Sequence, residues 1–176
     1  SAWELPDGSL RFAYLYGNPS QDMDMWGSSD GGETWKLLTE GIITQLFGAV
    51  QNITWAKIVA SGDWMRFDMY SLSTSPQGRV SAVSSDRGAT WGLVVGNDVG
   101  DGYDLNTGNG DGTMSQETQD ICAIDNSGTF LRARVWSMSS VVQTNIRYEL
   151  ATRDGVWTQI EQTGAALLFD SSSAEV

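Results

Sequence analysis

The sequence predicts an all-β protein built from repeated units of four antiparallel strands. Three observations carry that prediction. The octapeptide Ser28-Ser29-Asp30-Gly31-Gly32-Glu33-Thr34-Trp35 returns as Ser84-Ser85-Asp86-Arg87-Gly88-Ala89-Thr90-Trp91, with Ser, Asp, Gly, Thr and Trp at the same offsets. Short runs of alternating apolar and polar residues, bounded by Gly, Asp, Asn and Ser, fill the chain, and no apolar helical period is sustained. A second repeated segment precedes each octapeptide and occurs a third time further on: a turn, an apolar residue, an arginine and a strand-like run.

Each position of the octapeptide has a physical reason. An Asp or Ser at the head of a turn accepts backbone N–H groups that the turn leaves open. The Gly supplies a backbone with φ > 0, and the Trp opens the returning strand with a large surface to bury. The octapeptide therefore predicts a hairpin turn. A shortened third copy, Thr152-Arg153-Asp154-Gly155-Val156-Trp157, keeps Asp154, Gly155 and Trp157 and has lost two positions between Asp and Trp.

Upstream, Gly8 with Arg11, Gly62 with Arg66 and Gly128 with Arg132 set the register of the three units. The pattern predicts strands at about 2–5, 10–17, 22–28 and 34–39 in a first unit spanning 1–47. In a second unit, 48–97, they fall at about 53–60, 64–72, 79–84 and 90–95. In a third, 119–163, they fall at about 121–124, 129–137, 145–152 and 156–161. Residues 98–118 read as an acidic, Gly-rich surface loop. Residues 164–176 repeat the opening of the third unit and read as the start of a fourth.

The pattern S-x-D-x-G-x-T-W resembles the Asp-box, or bacterial neuraminidase repeat, of the sialidase-like β-propeller family. The resemblance covers roughly residues 1–163. It implies that each four-stranded unit is one propeller blade, and that Ser28, Asp30, Gly32, Thr34 and Trp35, Ser84, Asp86, Gly88, Thr90 and Trp91, and Asp154, Gly155 and Trp157 are structural turn residues remote from any reaction centre. Roughly four to eight blades close a propeller. Three blades and a stub thus imply completion by the rest of a longer chain, the favoured reading, or by further copies of this one. The function implied is a non-catalytic module of structure or recognition, binding glycan or protein on an extracellular or virion-appendage surface. The alternative is a fragment of a sialidase-like or xyloglucanase-like glycoside hydrolase whose catalytic residues lie partly outside this chain.

Sialidases of the family hold the carboxylate of sialic acid with three arginines from different blades, which makes Arg11, Arg66 and Arg132 candidates for ligand binding. Repeat symmetry favours a second reading, in which an arginine at one place in every unit serves the unit itself. Catalysis of the sialidase kind needs a Tyr nucleophile, a Glu partner and an Asp acid/base, for which Tyr148, Glu149 and Asp68 are the candidates. Tyr148 and Glu149 are adjacent, however, and adjacent strand residues point to opposite faces. Trp3, Trp26, Trp55, Trp64 and Trp136 are candidates for stacking on sugars, against a reading in which they pack between units.

The acidic loop offers hard oxygen ligands at Asp98, Asp101, Asp104 and Asp111, the chemistry calcium prefers, but without EF-hand spacing; a solvated loop is the simpler reading, and no cofactor is required. With 22 acidic and 10 basic residues the formal net charge is −12, which argues against nucleic acid or an anionic membrane as partner. The chain has no His, so imidazole catalysis and His metal ligation are excluded within it. Cys122 is the one cysteine; its apolar neighbours predict a small buried filler.

Overall fold

A computed structural model describes residues 1–71, 78–94, 114–138 and 143–164. Among these residues, apart from one short helix, the regular structure is antiparallel β, arranged as three meanders. The first sheet holds β1 (Ala2–Glu4), β2 (Leu10–Tyr16), β3 (Ser20–Ser28) and β4 (Lys36–Thr39). After helix α1 (Ile42–Phe47), the second holds β5 (Gln51–Ser61), β6 (Trp64–Ser71), β7 (Gly78–Ser84) and β8 (Gly92–Leu93). The third holds β9 (Met114–Ala123), β10 (Thr129–Met138), β11 (Gln143–Thr152) and β12 (Thr158–Gly164). Within each sheet, chain neighbours pair as antiparallel strands. The first two sheets are also joined where β3 pairs β5 through Ser20 with Asn52 and Gln21 with Gln51.

Two elements differ from the sequence expectation. Residues 114–118, assigned to the acidic loop, belong to β9 and pair with β10 up to Met138; the ladder is made by backbone groups, so polar side chains do not prevent it. Helix α1 is absent from the sequence reading because its capping is not local. Asp22 of β3 accepts the N–H groups of Ile43 and Thr44 at 2.9 and 3.3 Å and the Thr44 hydroxyl at 2.5 Å. A carboxylate from a distant strand thus satisfies orphan donors of the first turn, and Ile42 and Ile43 are fully buried.

Strand alternation gives each sheet two faces. In the first sheet Phe12, Tyr14 and Trp26 share one face, and Ala13, Met23 and Met25 the other, as the β2–β3 pairs Phe12–Trp26, Tyr14–Asp24, Ala13–Met25 and Leu15–Met23 require. The second face packs on Ile58, Met65, Phe67, Met69, Val80 and Ala82 of the second sheet, with Ile42 and Ile43 completing the larger core. The opposite face of the second sheet, carrying Val59, Trp64, Arg66 and Asp68, meets Ile121, Phe130, Arg132, Ala151 and Trp157 of the third. The second sheet therefore turns one face back to the first and one forward to the third. Cys122 is exposed, not buried as its neighbours suggested: it pairs with Leu131 on the far face of the third sheet, which no described element covers.

Candidate recognition surface

The two complete octapeptides fold alike. The Ser28 and Ser84 hydroxyls each donate to the Asp at 2.7 Å and accept the N–H of Gly32 at 2.9 Å and Gly88 at 2.8 Å. Asp30 and Asp86 accept the Thr34 and Thr90 N–H at 2.9 and 2.8 Å, and the same threonine hydroxyls at 2.5 and 2.6 Å. Trp35 and Trp91 close the turns by donating Nε1–H to the Gly32 and Gly88 carbonyls. The Thr34 hydroxyl, then its N–H, holds the Asp30 carboxyl down at about 2.

The shortened copy does not make this turn. Having lost the threonine that feeds both carboxylate oxygens, Asp154 is exposed and accepts no such bonds among the described residues; Gly155 N–H instead donates to Thr152 O at 2.7 Å. Asp154 and Gly155 are thus corrected as box residues. Trp157 is buried, and its Nε1–H goes to Asp68 Oδ2 at 2.9 Å.

The three arginines do not converge on a cleft, so their nomination as a ligand-binding set is also corrected. Arg11 Nε donates to Arg87 O at 2.9 Å, and Arg66 Nη1 to Gly155 O at 2.8 Å. Both carbonyls belong to the residue after the Asp of the next unit's turn, so these two arginines fasten each sheet to its successor. Arg132 is not their equivalent. Phe12 and Phe67 meet the tryptophan of their own turn, Trp35 and Trp91, edge-on at 6.3 Å. Arg132 likewise lies over its own Trp157, at 4.4 Å, and so occupies the phenylalanine position and faces backward.

The catalytic candidates are corrected on burial and saturation. Asp68 is 1% exposed and receives four donors: the Ser81 hydroxyl at 2.7 Å, Arg66 Nε at 3.3 Å, Arg132 Nη1 at 3.2 Å and Trp157 Nε1 at 2.9 Å. Glu149 is 2% exposed and accepts from Arg132 Nε at 2.6 Å, across the β10–β11 pair. Arg66 also lies over the Trp157 ring, at 4.3 Å. Among the described residues, two guanidinium groups, two carboxylates and one indole thus form a buried set with no exposed reacting atom. Tyr148 is half-buried and points to the opposite face from Glu149, as its adjacency requires.

The solvent-facing feature is elsewhere. Along β2, Phe12, Tyr14 and Tyr16 form a stacked row, with centroids 6.4 and 5.9 Å apart and planes 18° and 19° from parallel. Phe12 is 39%, Tyr14 54% and Trp35 40% exposed, and Leu37 of β4 adds to the same face. Phe12, Trp26 and Trp35 line a hollow of about 400 Å³. The Tyr16 hydroxyl donates to Asp24 Oδ1 at 3.2 Å; burial first, then the neighbouring Asp24 and Asp22 charges, push it up to about 12, so it stays a neutral donor.

Of the residues on this face, the sequence nominates Trp26 for stacking, assigns Trp35 to the turn, and does not single out Phe12 or Tyr14. The alternation Phe12-Ala13-Tyr14-Leu15-Tyr16, aromatic at every second residue, was the available signal. Asp98, Asp101, Asp104 and Asp111 lie outside the described residues; among those described, no group of three His, Cys, Asp or Glu side chains is placed to hold a metal ion.

No family model matches the chain, and no curated protein does. Among solved structures it is similar to one described as a new family of polysaccharide lyase, PL25 ulvan lyase, bound to -[GlcA(1-4)Rha3S]-, with a TM-score of 0.38 and 11% identity over 93% of this chain. The chain spans 55% of that structure's length. A likeness at this level carries neither a detailed fold nor a function.

Proposed function

We propose that this chain is a non-catalytic module of structure or recognition, its three sheets stacked as successive β-propeller blades, and that it binds glycan or protein through the aromatic face of the first sheet. The observation that carries this reading is a contrast between equivalent positions. Phe67 is 1% exposed beneath the first sheet, whereas Phe12, at the same place one unit earlier, is 39% exposed beside Tyr14 and Trp35. A contiguous aromatic surface left open to water is a hallmark of an interaction site, and flat rings suit the apolar faces of sugars as well as protein side chains. The saturated, buried state of Asp68 and Glu149 supports binding over hydrolysis.

The test is calorimetric titration with soluble polysaccharides, run beside a fluorogenic screen of sialosides and β-glucans. Binding is expected to weaken about tenfold, or about 1.4 kcal/mol, in Phe12→Ala and in Trp35→Ala, with no turnover. Turnover abolished by Asp68→Asn or Glu149→Gln, in variants shown to be folded, overturns the reading.

A further inference from the structure

We propose that Asp154–Gly155 is a site of self-modification, where the Gly155 nitrogen closes on the Asp154 carboxyl and converts the turn to its isoaspartyl form. The product loosens the contact between the second and third sheets.

Three Asp-Gly pairs lie among the described residues: Asp7–Gly8, Asp30–Gly31 and Asp154–Gly155. All three aspartates are exposed, so access to water does not separate them. Neither end of the chain sets the exposure of such a turn, because Asp86, in the sheet packed on both sides, is exposed as well. What separates the pairs is how the carboxylate is held. Asp7 accepts the Ser9 N–H at 3.0 Å and the Ser9 hydroxyl at 2.7 Å, with Arg87 Nη1 on its other oxygen. Asp30 accepts the Ser28 hydroxyl at 2.7 Å, the Thr34 N–H at 2.9 Å and the Thr34 hydroxyl at 2.5 Å. Asp154 accepts no such bond among the described residues.

The ring closes when the Gly155 nitrogen gives up its proton and bonds to Asp154 Cγ, while one carboxyl oxygen leaves as water. A water molecule then reopens the imide. Attack at the α-carbonyl leaves the chain running through Cγ, with one methylene added to the backbone and nothing oxidised or reduced. Departure of water requires the neutral acid. A carboxyl held at about 2, as the Ser9 hydroxyl holds Asp7 and the Thr34 hydroxyl holds Asp30, is neutral roughly a hundredfold less often than an ordinary one at about 4. Oxygens pinned in this way also cannot turn Cγ toward the following nitrogen. Gly155 N–H donates to Thr152 O at 2.7 Å, so the ring forms as that bond opens; Gly8 N–H is tied to Leu5 O at 2.9 Å, and the restraint is common to both. The consequence falls on one atom. Gly155 O receives Arg66 Nη1 at 2.8 Å, and a methylene added beside it displaces the carbonyl from that fastening.

The experiment incubates the full chain at about pH 5 and locates isoaspartate by peptide mapping with electron-transfer fragmentation. Isoaspartate is expected to form at Asp154 at least about tenfold faster than at Asp7 or Asp30. Asp154→Glu would need a six-membered ring and abolishes the signal there. Ser28→Ala with Thr34→Val unpins Asp30 and is expected to raise its rate toward that of Asp154; Thr34→Val alone serves if the double variant does not fold. After incubation the unaltered protein is expected to show a lower urea midpoint, and Asp154→Glu a smaller loss. Both proteins share every other Asp-Gly pair, so the difference reports Asp154. Equal rates at the three pairs, or no isoaspartate at Asp154, overturn the inference. A rate at Asp30 unmoved by loss of its donors overturns the reason given for it. Isoaspartate at Asp154 with equal midpoint losses in the two proteins overturns the loosening of the contact.

Discussion

The contact between the first and second sheets and the contact between the second and third share a plan and differ in chemistry. In both, an arginine near the start of the second strand donates to the carbonyl after the turn Asp of the next sheet, Arg11 to Arg87 and Arg66 to Gly155. Between these fastenings the fillings diverge. In the first contact Ala13 and Met25 meet Phe67, whose β7 partner is Ala82. In the second the corresponding residues are Asp68 and Ser81 meeting Arg132, whose β11 partner is Glu149. The same geometry thus accepts an apolar core or a buried set of paired ions, provided the exchange is made on both sides. Breaking one member of a buried ion set leaves an uncompensated charge, while replacing matched members by apolar groups is far cheaper.

The largest expected effect follows directly. Asp68→Ala strips partners from Arg66, Arg132, Trp157 and Ser81 at once and is expected to cost about 3–5 kcal/mol in urea denaturation. A loss under about 1 kcal/mol, the range of an exposed ion pair, means the set is solvated and the contrast between the contacts is false. Removing a matched pair should sharpen it: Arg132→Phe with Glu149→Ala rebuilds the Phe67–Ala82 pattern and leaves Arg66 with Asp68. The double variant is expected to be more stable than either single one, with a coupling of about 1–3 kcal/mol.

Turn glycines distinguish the contacts next. A Cβ on Gly62 falls 2.1 Å from the Asn126 carbonyl oxygen, a backbone atom of the third sheet's turn. The Ser61 hydroxyl, which bonds Asp125 O and Gly128 N–H, holds that turn in place. On Gly88 a Cβ meets Met25 Cγ at 3.0 Å and Met65 Sδ at 3.2 Å, and thioether side chains yield. Both glycines have positive φ. Gly62→Ala is therefore expected to lower the melting temperature several degrees more than Gly88→Ala; equal effects mean the turn contact gives way as easily as the methionines.

Smaller effects separate the intact turns from the altered one. Asp86→Ala loses bonds from Thr90 and Ser84 and is expected to cost about 1 kcal/mol, whereas Asp154→Ala stays within about 0.5 kcal/mol by the same denaturation measurement. Acid should read the turns together. Ser9 holds Asp7 and Thr34 holds Asp30 at about 2, and Thr129 and Ser127 lower Asp125. For Asp86, burial raises and the Thr90 and Ser84 bonds outweigh it, so the net is lowered. Folded values below the unfolded ones mean stability is present above about pH 4 and lost as pH falls through the folded values. The melting temperature should fall between about pH 4 and 2, and fall less in a variant carrying Asp30→Asn and Asp86→Asn. An unchanged slope in that variant denies the turns this role.

Much of the architecture was legible because strand periodicity and turn chemistry are local. Sequence strands at 10–17 and 64–72 are β2 and β6, and the two octapeptides close through bonds within eight residues. Helix α1 was illegible because Asp22, twenty-one residues before Ile43, caps it. Arg132 was misaligned with Arg11 and Arg66 because sequence spacing from the turn does not reveal which face a strand residue takes after a one-residue offset. The candidate surface was hidden for a related reason: Phe12 and Phe67 look alike in sequence, and exposure depends on whether another sheet lies over them.

The sequence by itself determined that this chain is β-rich and repetitive, that two of its turns are the same object, and that neither histidine chemistry nor an intrachain disulfide operates in it. Those properties reside in residue types and short-range hydrogen bonds. Only the tertiary structure decided that Arg66, Asp68, Arg132, Glu149 and Trp157 form one buried set, and that Phe12, Tyr14 and Trp35 are left in water. Those outcomes depend on which faces meet, and a face is covered or bare only by virtue of residues far away in the chain.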